Sequence, residues 1–339
     1  MIDFRYHLVS IIAVFLALAV GIVIGANELQ GTTASILRRE ADRVSADNKK
    51  LLEQQNKLQA QNSVDQLFGQ QAAGPLISHL LTGQSVVMVT APSASNSAVT
   101  ELTGRIEQAG GTVTGLVSMS SAFFDSSDST EAKLSQLAQT LAPDAGVTLS
   151  GQSLSSPTSG QAAAAQVIAA ALVTKVPPGL SSTLSHQVLG GFSQSGYLQI
   201  TSPAKGTAAT LAPATLAVVV PPSSPPSGSG ASADNDALVD VASQLAHAGD
   251  GTVLAGTFAG SGAGSAIAAV SASDKVSTVD YADQPIGQII TVQALSELAA
   301  GHSPTSYGVG PGAVPSPAPS PTPSVTPSTA ATGQVKKKK

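Results

Sequence analysis

The sequence predicts an α/β protein: a parallel, doubly wound sheet preceded by a transmembrane helix and a coiled-coil helix, and followed by a disordered tail. Three observations predict it. Leu8 to Ala26 is nineteen residues without a formal charge. Short apolar strands then alternate with helical patterns between Gln84 and Gly310, the order that parallel sheets produce. From Pro311 to Gln334 the chain is rich in Pro, Ser, Thr and Ala, a composition that buries too little apolar surface to order. The expected division is an anchor at 1–27, a coiled coil at 28–68, an extracytoplasmic α/β domain at 84–310 and a tail at 311–339.

The opening stretch, MIDFRYHLVSIIAVFLALAVGIVIGA, organises the chain. At 1.5 Å per residue the uncharged run is a helix roughly 28 Å long, about the thickness of bilayer hydrocarbon. A cleaved secretory signal is the competing reading, but its apolar core is usually shorter and ends on small residues. Ile24-Gly25-Ala26 is only a fair cleavage site because Ile24 is large. Charge flanks do not settle orientation: Arg5 lies on one side, Arg38, Arg39 and Arg43 beyond the other. A cytoplasmic N-terminus is favoured, because long C-terminal domains translocate largely regardless of charge.

Residues 28–66 hold no proline and repeat every seven residues. Leu37, Val44, Leu51 and Leu58 form one row; Ala34, Ala41, Asn48 and Gln55 form the partly polar row three positions before it. That is a heptad with a good d row and a weak a row, and an Asn at a fixes register and strand number. These residues, Leu37, Val44, Asn48, Leu51 and Leu58, are the candidate oligomerisation surface of a short parallel coiled coil. A single amphipathic helix packing on its own domain fits the same pattern.

Phe68–Gly83 reads as a junction punctuated by Gly74-Pro75. Val86–Val89 is a buried-type strand, Asn96 is placed to cap a helix with Val99, Leu102 and Ile106 inward, and Thr112–Val117 is the next strand. Leu216–Val220, a helix capped by Asn235 with Leu238, Val241 and Leu245 inward, and Gly251–Leu254 repeat that unit. Asn96-Ser-Ala aligns with Asn235-Asp-Ala, and Ala109-Gly110 with Ala248-Gly249, a faint pseudo-repeat that two ordinary βαβ units also produce. Ala132–Leu141 and Gln161–Thr174 read as helices, the second broken by Pro177-Pro178-Gly179. Gly190–Gly196 reads as loop, Leu198–Ile200 as a brief strand, and Pro221–Ala233 as a flexible connection. Ala266–Val270 and Val276–Asp280 read as strands, and Pro285–Leu298 as a helix with Pro in its first turn.

Composition narrows the function. The chain has 339 residues, a net charge of −5 and no cysteine. Disulfides, thiolate metal sites and cysteine nucleophiles are excluded. No basic face is visible, so nucleic acid is not an expected partner. Aromatic girdles and repeated alternating strands are missing, so the domain does not read as a transmembrane barrel.

Candidate chemistry is sparse. The five histidines, His7, His79, His186, His247 and His302, include no pair at i, i+3 or i+4, and there is no Met-x-x-Met. A metal site could arise only in space, with His247 and His302 the candidate pair. Gly260–Ser265 has the composition of a phosphate loop but lacks a Walker lysine and is read as running into a strand. Asp280-Tyr281-Ala282-Asp283 stands at a strand end before a helix, where acidic residues either serve a site or cap the helix; capping is the favoured reading. No Gly-x-Ser-x-Gly elbow exists, and the chain is not expected to be an enzyme. Lys336–Lys339 either meets anionic lipid or wall polymer or simply solubilises the tail.

FRYHLVSIIAVFLALAVGIVIGA followed by a coiled coil resembles the MctB-like copper transporter family of mycobacteria and other actinobacteria. Gln84-Ser-Val-Val-Met-Val, Gln108-Ala-Gly-Gly-Thr-Val, Gly251-Thr-Val-Leu-Ala-Gly, Ser277-Thr-Val-Asp and the segment Ile289–Gly312 with Tyr307-Gly308 are similar to that family in the same order. The resemblance covers roughly residues 1–313 and leaves out the tail. It implies a role in copper homeostasis of the cell envelope, by a channel or efflux component, with copper as the transported ion. It carries no ligand or catalytic motif onto individual residues. The expectation is a single-pass envelope protein, homo-oligomeric through its coiled coil, in contact with membrane lipid and with other envelope transport components. The alternative is a scaffolding envelope protein that recruits partners through its coiled coil and tail.

Overall fold

The computed structural model describes residues 4–149, 159–176, 179–201 and 211–317, with the backbone alone at 4–5, 26–34 and 159. The expected break at Pro177-Pro178, the side chains of Arg5 and Ala34, and everything beyond Pro317 lie outside the described residues. The chain divides into two compact units, Met1–Leu67 and Phe68–Lys339.

In the first unit a single element runs throughout, the helix α1 (Phe4–Ile77), which ends in the second unit. Its segment Tyr6–Gly25 is long and apolar enough to cross a membrane. Gly74-Pro75 does not stop α1, contrary to the expected punctuation. Pro75 stands two residues from the helix end, where its missing N–H removes only one terminal hydrogen bond. Ala73, Ile77 and Leu81 are fully buried in the second unit, so packing outweighs the local signal.

The second unit is built on β1 (Ser85–Thr90), α2 (Asn96–Gln108), β2 (Thr112–Met119), α3 (Asp128–Leu141), α4 (Ser159–Leu172), α5 (Ser182–Gln194), β3 (Leu198–Thr201), β4 (Leu216–Val220), α6 (Ala231–Ala248), β5 (Gly251–Ala255), α7 (Ala266–Ala269), β6 (Ser277–Val279), α8 (Pro285–Ala299) and β7 (Ser306–Tyr307). The strands form one open sheet in the order β3-β2-β1-β4-β5-β6-β7. All neighbours are parallel except β2 and β3, which pair antiparallel from Leu116↔Thr201 to Met119↔Leu198. The expected doubly wound parallel sheet is present, with one antiparallel edge.

The sheet is covered on both faces, and the strand period of two divides its side chains between two cores. Val87 and Val89 of β1, Ala217 and Val219 of β4 and Leu254 of β5 meet α3, α4, α5 and α6. Val86, Met88, Leu216, Val218, Val220 and Val253 meet the end of α1, α2 and α8. Hence these strands read as continuous apolar runs rather than alternating ones. α4 is a buried, alanine-rich helix; a Cβ at Gly160 would collide with the Glu131 carbonyl of α3, so glycine there permits the close approach of the two helices.

Several local expectations are corrected. Ala266–Val270 is not a strand: Ser265 accepts from Ala268 N–H at 3.2 Å and starts the short helix α7. Gly260–Ser265 therefore leads into a helix. Gly190-Gly191 lies inside α5, where a Cβ at Gly191 would press on Leu141 at 2.8 Å; the glycine serves packing, and the turn falls later, at Gly196 with φ +81°. α2 is capped by Ser95, whose Oγ accepts from Ala98 N–H at 3.4 Å, and not by Asn96. α6 begins at Ala231, so Asn235 is within the helix rather than at its cap. Asp280 and Asp283 do not cap α8, whose N-cap position is Gln284. Asp280 instead accepts from Val309 N–H at 3.0 Å and Gly310 N–H at 2.7 Å. Asp283 accepts from Phe258 N–H at 3.0 Å. The start of the expected tail is tied to the domain: Val314 donates to Ser306 O and accepts from Gly308 N–H, each at 2.9 Å.

Candidate functional site

His247 stands at the C-terminal end of α6, exposed, its Nδ1 2.7 Å from Ser243 O. His302 follows α8, exposed, its Nδ1 3.1 Å from Glu297 O. α6 packs in one core and α8 in the other, so the two histidines stand on helices that cover opposite faces of the sheet. His79 is an exposed residue at φ +64°, and His186 Nε2 accepts from Leu211 N–H at 3.1 Å. Among the described residues no group of three or more His, Cys, Asp or Glu could hold a metal ion. Met88 and Met119 are both in the core.

In the first unit, Leu37, Val44, Leu51 and Leu58 are each more than half exposed, from 51% to 66%, and Asn48 is exposed beside them. Leu37, Glu40, Ala41, Val44, Ser45 and Asn48 line one shallow depression along the helix. A row of exposed branched aliphatics at heptad spacing is what a helix partner would cover.

A concavity lies where the sheet reverses its winding. β1 leads to β2 on one side, while its other neighbour β4 leads to β5 on the other. Loops leaving the carboxyl ends of β1 and β4 therefore part, the position at which open α/β sheets bind ligands. A cavity of about 450 Å³ occupies that gap. Its walls come from Pro92 and Ser93 after β1, Phe124 and Asp125 after β2, Pro222 and Ser223 after β4, and Asp234 and Asn235 of α6.

The rim is sewn together by hydroxyls and backbone. Ser223 donates its N–H and Oγ–H to Ser93 O at 3.0 and 2.9 Å. Thr257, after β5, donates to Ser223 O at 3.1 Å. Ser93 takes φ +61°, a left-handed conformation that costs a non-glycine residue energy and gathers at functional sites.

The polar side chains of the crevice are two carboxylates, one amide and four serine hydroxyls. Asp125 accepts from Ser127 N–H and Oγ at 3.0 Å and from Thr130 Oγ1 at 2.9 Å. These bonds, led by the Ser127 backbone, hold its carboxyl below the ordinary aspartate value. Asp234 accepts no hydrogen bond among the described residues, and burial pushes its carboxyl up. Asn235 is buried and donates Nδ2 to Gly264 O at 2.7 Å; its Oδ1 has no protein partner among the described residues. No Lys, Arg or His lines the cavity.

Sequence reasoning missed this crevice. It saw Asn235 as a helix cap and passed over Asp125 and Asp234. The available signal was the pair of strand ends Ala91-Pro92 and Pro221-Pro222, but their adjacency depends on strand order, which local patterns do not carry.

An open doubly wound α/β unit, a crevice at its switch point and an apolar N-terminal helix define the class: an α/β protein carrying a helix long and apolar enough to cross a membrane. Within it, the chain belongs to the MctB family, described as copper transport outer membrane protein, whose profile matches residues 1–317. "Copper transporter MctB" of Mycobacterium tuberculosis (strain ATCC 25618 / H37Rv) is 30% identical over 322 residues, 93% of this chain and 98% of the relative. The protein of the same name from Mycobacterium leprae (strain TN) is 34% identical over 320 residues, 92% and 98% of the two chains.

Proposed function

We propose that the chain is a membrane-anchored protein of copper homeostasis, a non-catalytic component that supports copper efflux or tolerance. Membership of the MctB family along residues 1–317 carries this reading. The segment Tyr6–Gly25 is the anchor, with the short N-terminus cytoplasmic and the α/β domain extracytoplasmic. Leu37, Val44, Asn48, Leu51 and Leu58 join copies through a parallel coiled coil. Further copies or a partner component are needed physically, because one helix encloses no lumen.

The test is intracellular copper in a deletion strain grown with and without added copper. Complementation uses the full chain and a Val44→Asn, Leu51→Asn variant. Copper accumulation reversed by the full chain and not by the variant supports both transport and assembly. Reversal by both chains removes the coiled coil from the function. Unchanged copper with a defect of shape or wall integrity sinks the copper reading and supports the scaffold.

A further inference from the structure

We propose that the switch-point crevice binds a primary ammonium group on an aliphatic stem. The observation that carries it is a cavity of ligand size whose lining holds two carboxylates and no basic side chain. Its volume of about 450 Å³ falls in the range of small-molecule sites. Asp125 is held ionised by its bonds to Ser127 and Thr130, so negative charge is fixed on one wall. Asp234, also in the lining, has a carboxylate with no protein partner among the described residues. Asn235 also lines the cavity, and with Nδ2 donated to Gly264 O its Oδ1 is free to accept. An ammonium group supplies three donors and a compensating charge.

The remainder of the wall selects the stem. Pro92, Pro222, Phe124 and Leu238 are apolar, and a ring beside an ammonium adds a cation–π attraction. Anionic ligands are disfavoured by two carboxylates, which separates this crevice from a dinucleotide site of similar location. A lining without sulfur also ill suits cuprous ion, which prefers thiolate or thioether. The inference goes beyond the copper reading and stands independently of it.

Two sources carry this chemistry: a free alkyl amine, and a lysine side chain such as those of Lys336–Lys339. The experiment titrates the full chain in neutral detergent with 1,5-diaminopentane and follows heat. 1,5-Pentanediol is the uncharged control and cupric chloride the metal control. The expected result is saturable heat with the diamine that weakens as salt rises, and none with the diol. Asp234→Asn should weaken diamine binding at least tenfold, as expected for loss of one charge-assisted hydrogen bond. Asp236→Asn, exposed on the same helix and outside the crevice, should leave it unchanged. A chain ending at Val335 assigns the source: tighter diamine binding means the lysines compete for the crevice, and equal binding means a free amine. No saturable heat with diamine in either chain at millimolar concentration overturns the proposal. So does equal loss in the Asp234 and Asp236 variants, or binding of cupric ion alone that Asp234→Asn abolishes.

Discussion

Asp280→Asn tests the reading of the sheet's β7 edge most sharply, because two interpretations of Asp280 predict damage in different places. The residue closes β6 and is only 6% exposed. Its carboxylate receives Val309 N–H through both oxygens, at 3.2 and 3.0 Å, and Gly310 N–H at 2.7 Å. Gly308, at φ +144°, approaches so closely that any Cβ there would collide with this carboxylate. Asparagine keeps the shape but removes the charge and turns one acceptor into a donor. One charge-assisted bond is lost and one buried N–H faces another donor, which together cost about 2–4 kcal/mol. For a unit of this size that lowers Tm by roughly 4–16 °C. Amide hydrogen exchange locates the effect: protection should fall at Val309 and Gly310 and persist at Gly287 and Gln288 in the first turns of α8. If protection is lost instead in α8, Asp280 acts as a helix cap and the turn argument is wrong. An unchanged Tm with unchanged exchange at Val309 and Gly310 refutes it equally.

Three further perturbations follow from the same geometry. Glu131 is buried and accepts from Gly160 and Gln161 N–H at 2.8 and 3.1 Å, and burial raises its carboxyl. The native state therefore holds this proton more tightly than the unfolded chain, so stability falls as pH rises from the unfolded glutamate value of about 4.3 towards the raised native one. Glu131→Gln should flatten that slope in urea unfolding measured across the window, and an identical slope would disprove the assignment. Gly160→Ala should cost about 1–3 kcal/mol or more by forcing α4 off the Glu131 carbonyl, read as a lower urea midpoint at unchanged m. Tyr307 donates to Glu297 Oε2 at 2.6 Å, and burial, aided by Glu297, pushes its hydroxyl up to about 12. Tyr307→Phe should cost roughly 1–2 kcal/mol, and the wild-type phenol should resist ionisation in an alkaline absorbance titration that a solvent-like tyrosine would not.

Which elements were legible follows from how local their causes are. Val86–Val89, Leu216–Val220 and Gly251–Leu254 are apolar runs bounded by Pro or Gly, and parallel strands buried on both faces leave that trace. The apolar helix at Tyr6–Gly25 is equally local. Gly190-Gly191, Gly74-Pro75 and Asn235 misled for one shared reason. Each carries a local signal of turn or cap, and each was recruited for packing across sequence distance. Gly191 makes room for Leu141 and Asn235 ties α6 to Gly264. Ile77 and Leu81 are fully buried in the domain on either side of the end of α1. The crevice needed strand order, since Ser93 and Ser223 meet at 2.9 Å across 130 residues.

Copper is the point at which family and side chains must be reconciled. Cuprous ion favours sulfur, yet the chain has no cysteine and three methionines, of which Met88 and Met119 pack in the core. The described residues of the folded unit therefore offer copper no exposed sulfur ligand. Transport does not require tight coordination; a conducting path works best where ions bind weakly and leave quickly. On the proposed reading such a path forms between copies or with a partner component. The exposed row of Leu37, Val44, Leu51 and Leu58 is then the place where copper function and assembly become one question. A variant that still folds but no longer associates should lose copper tolerance without altering any residue of the α/β domain.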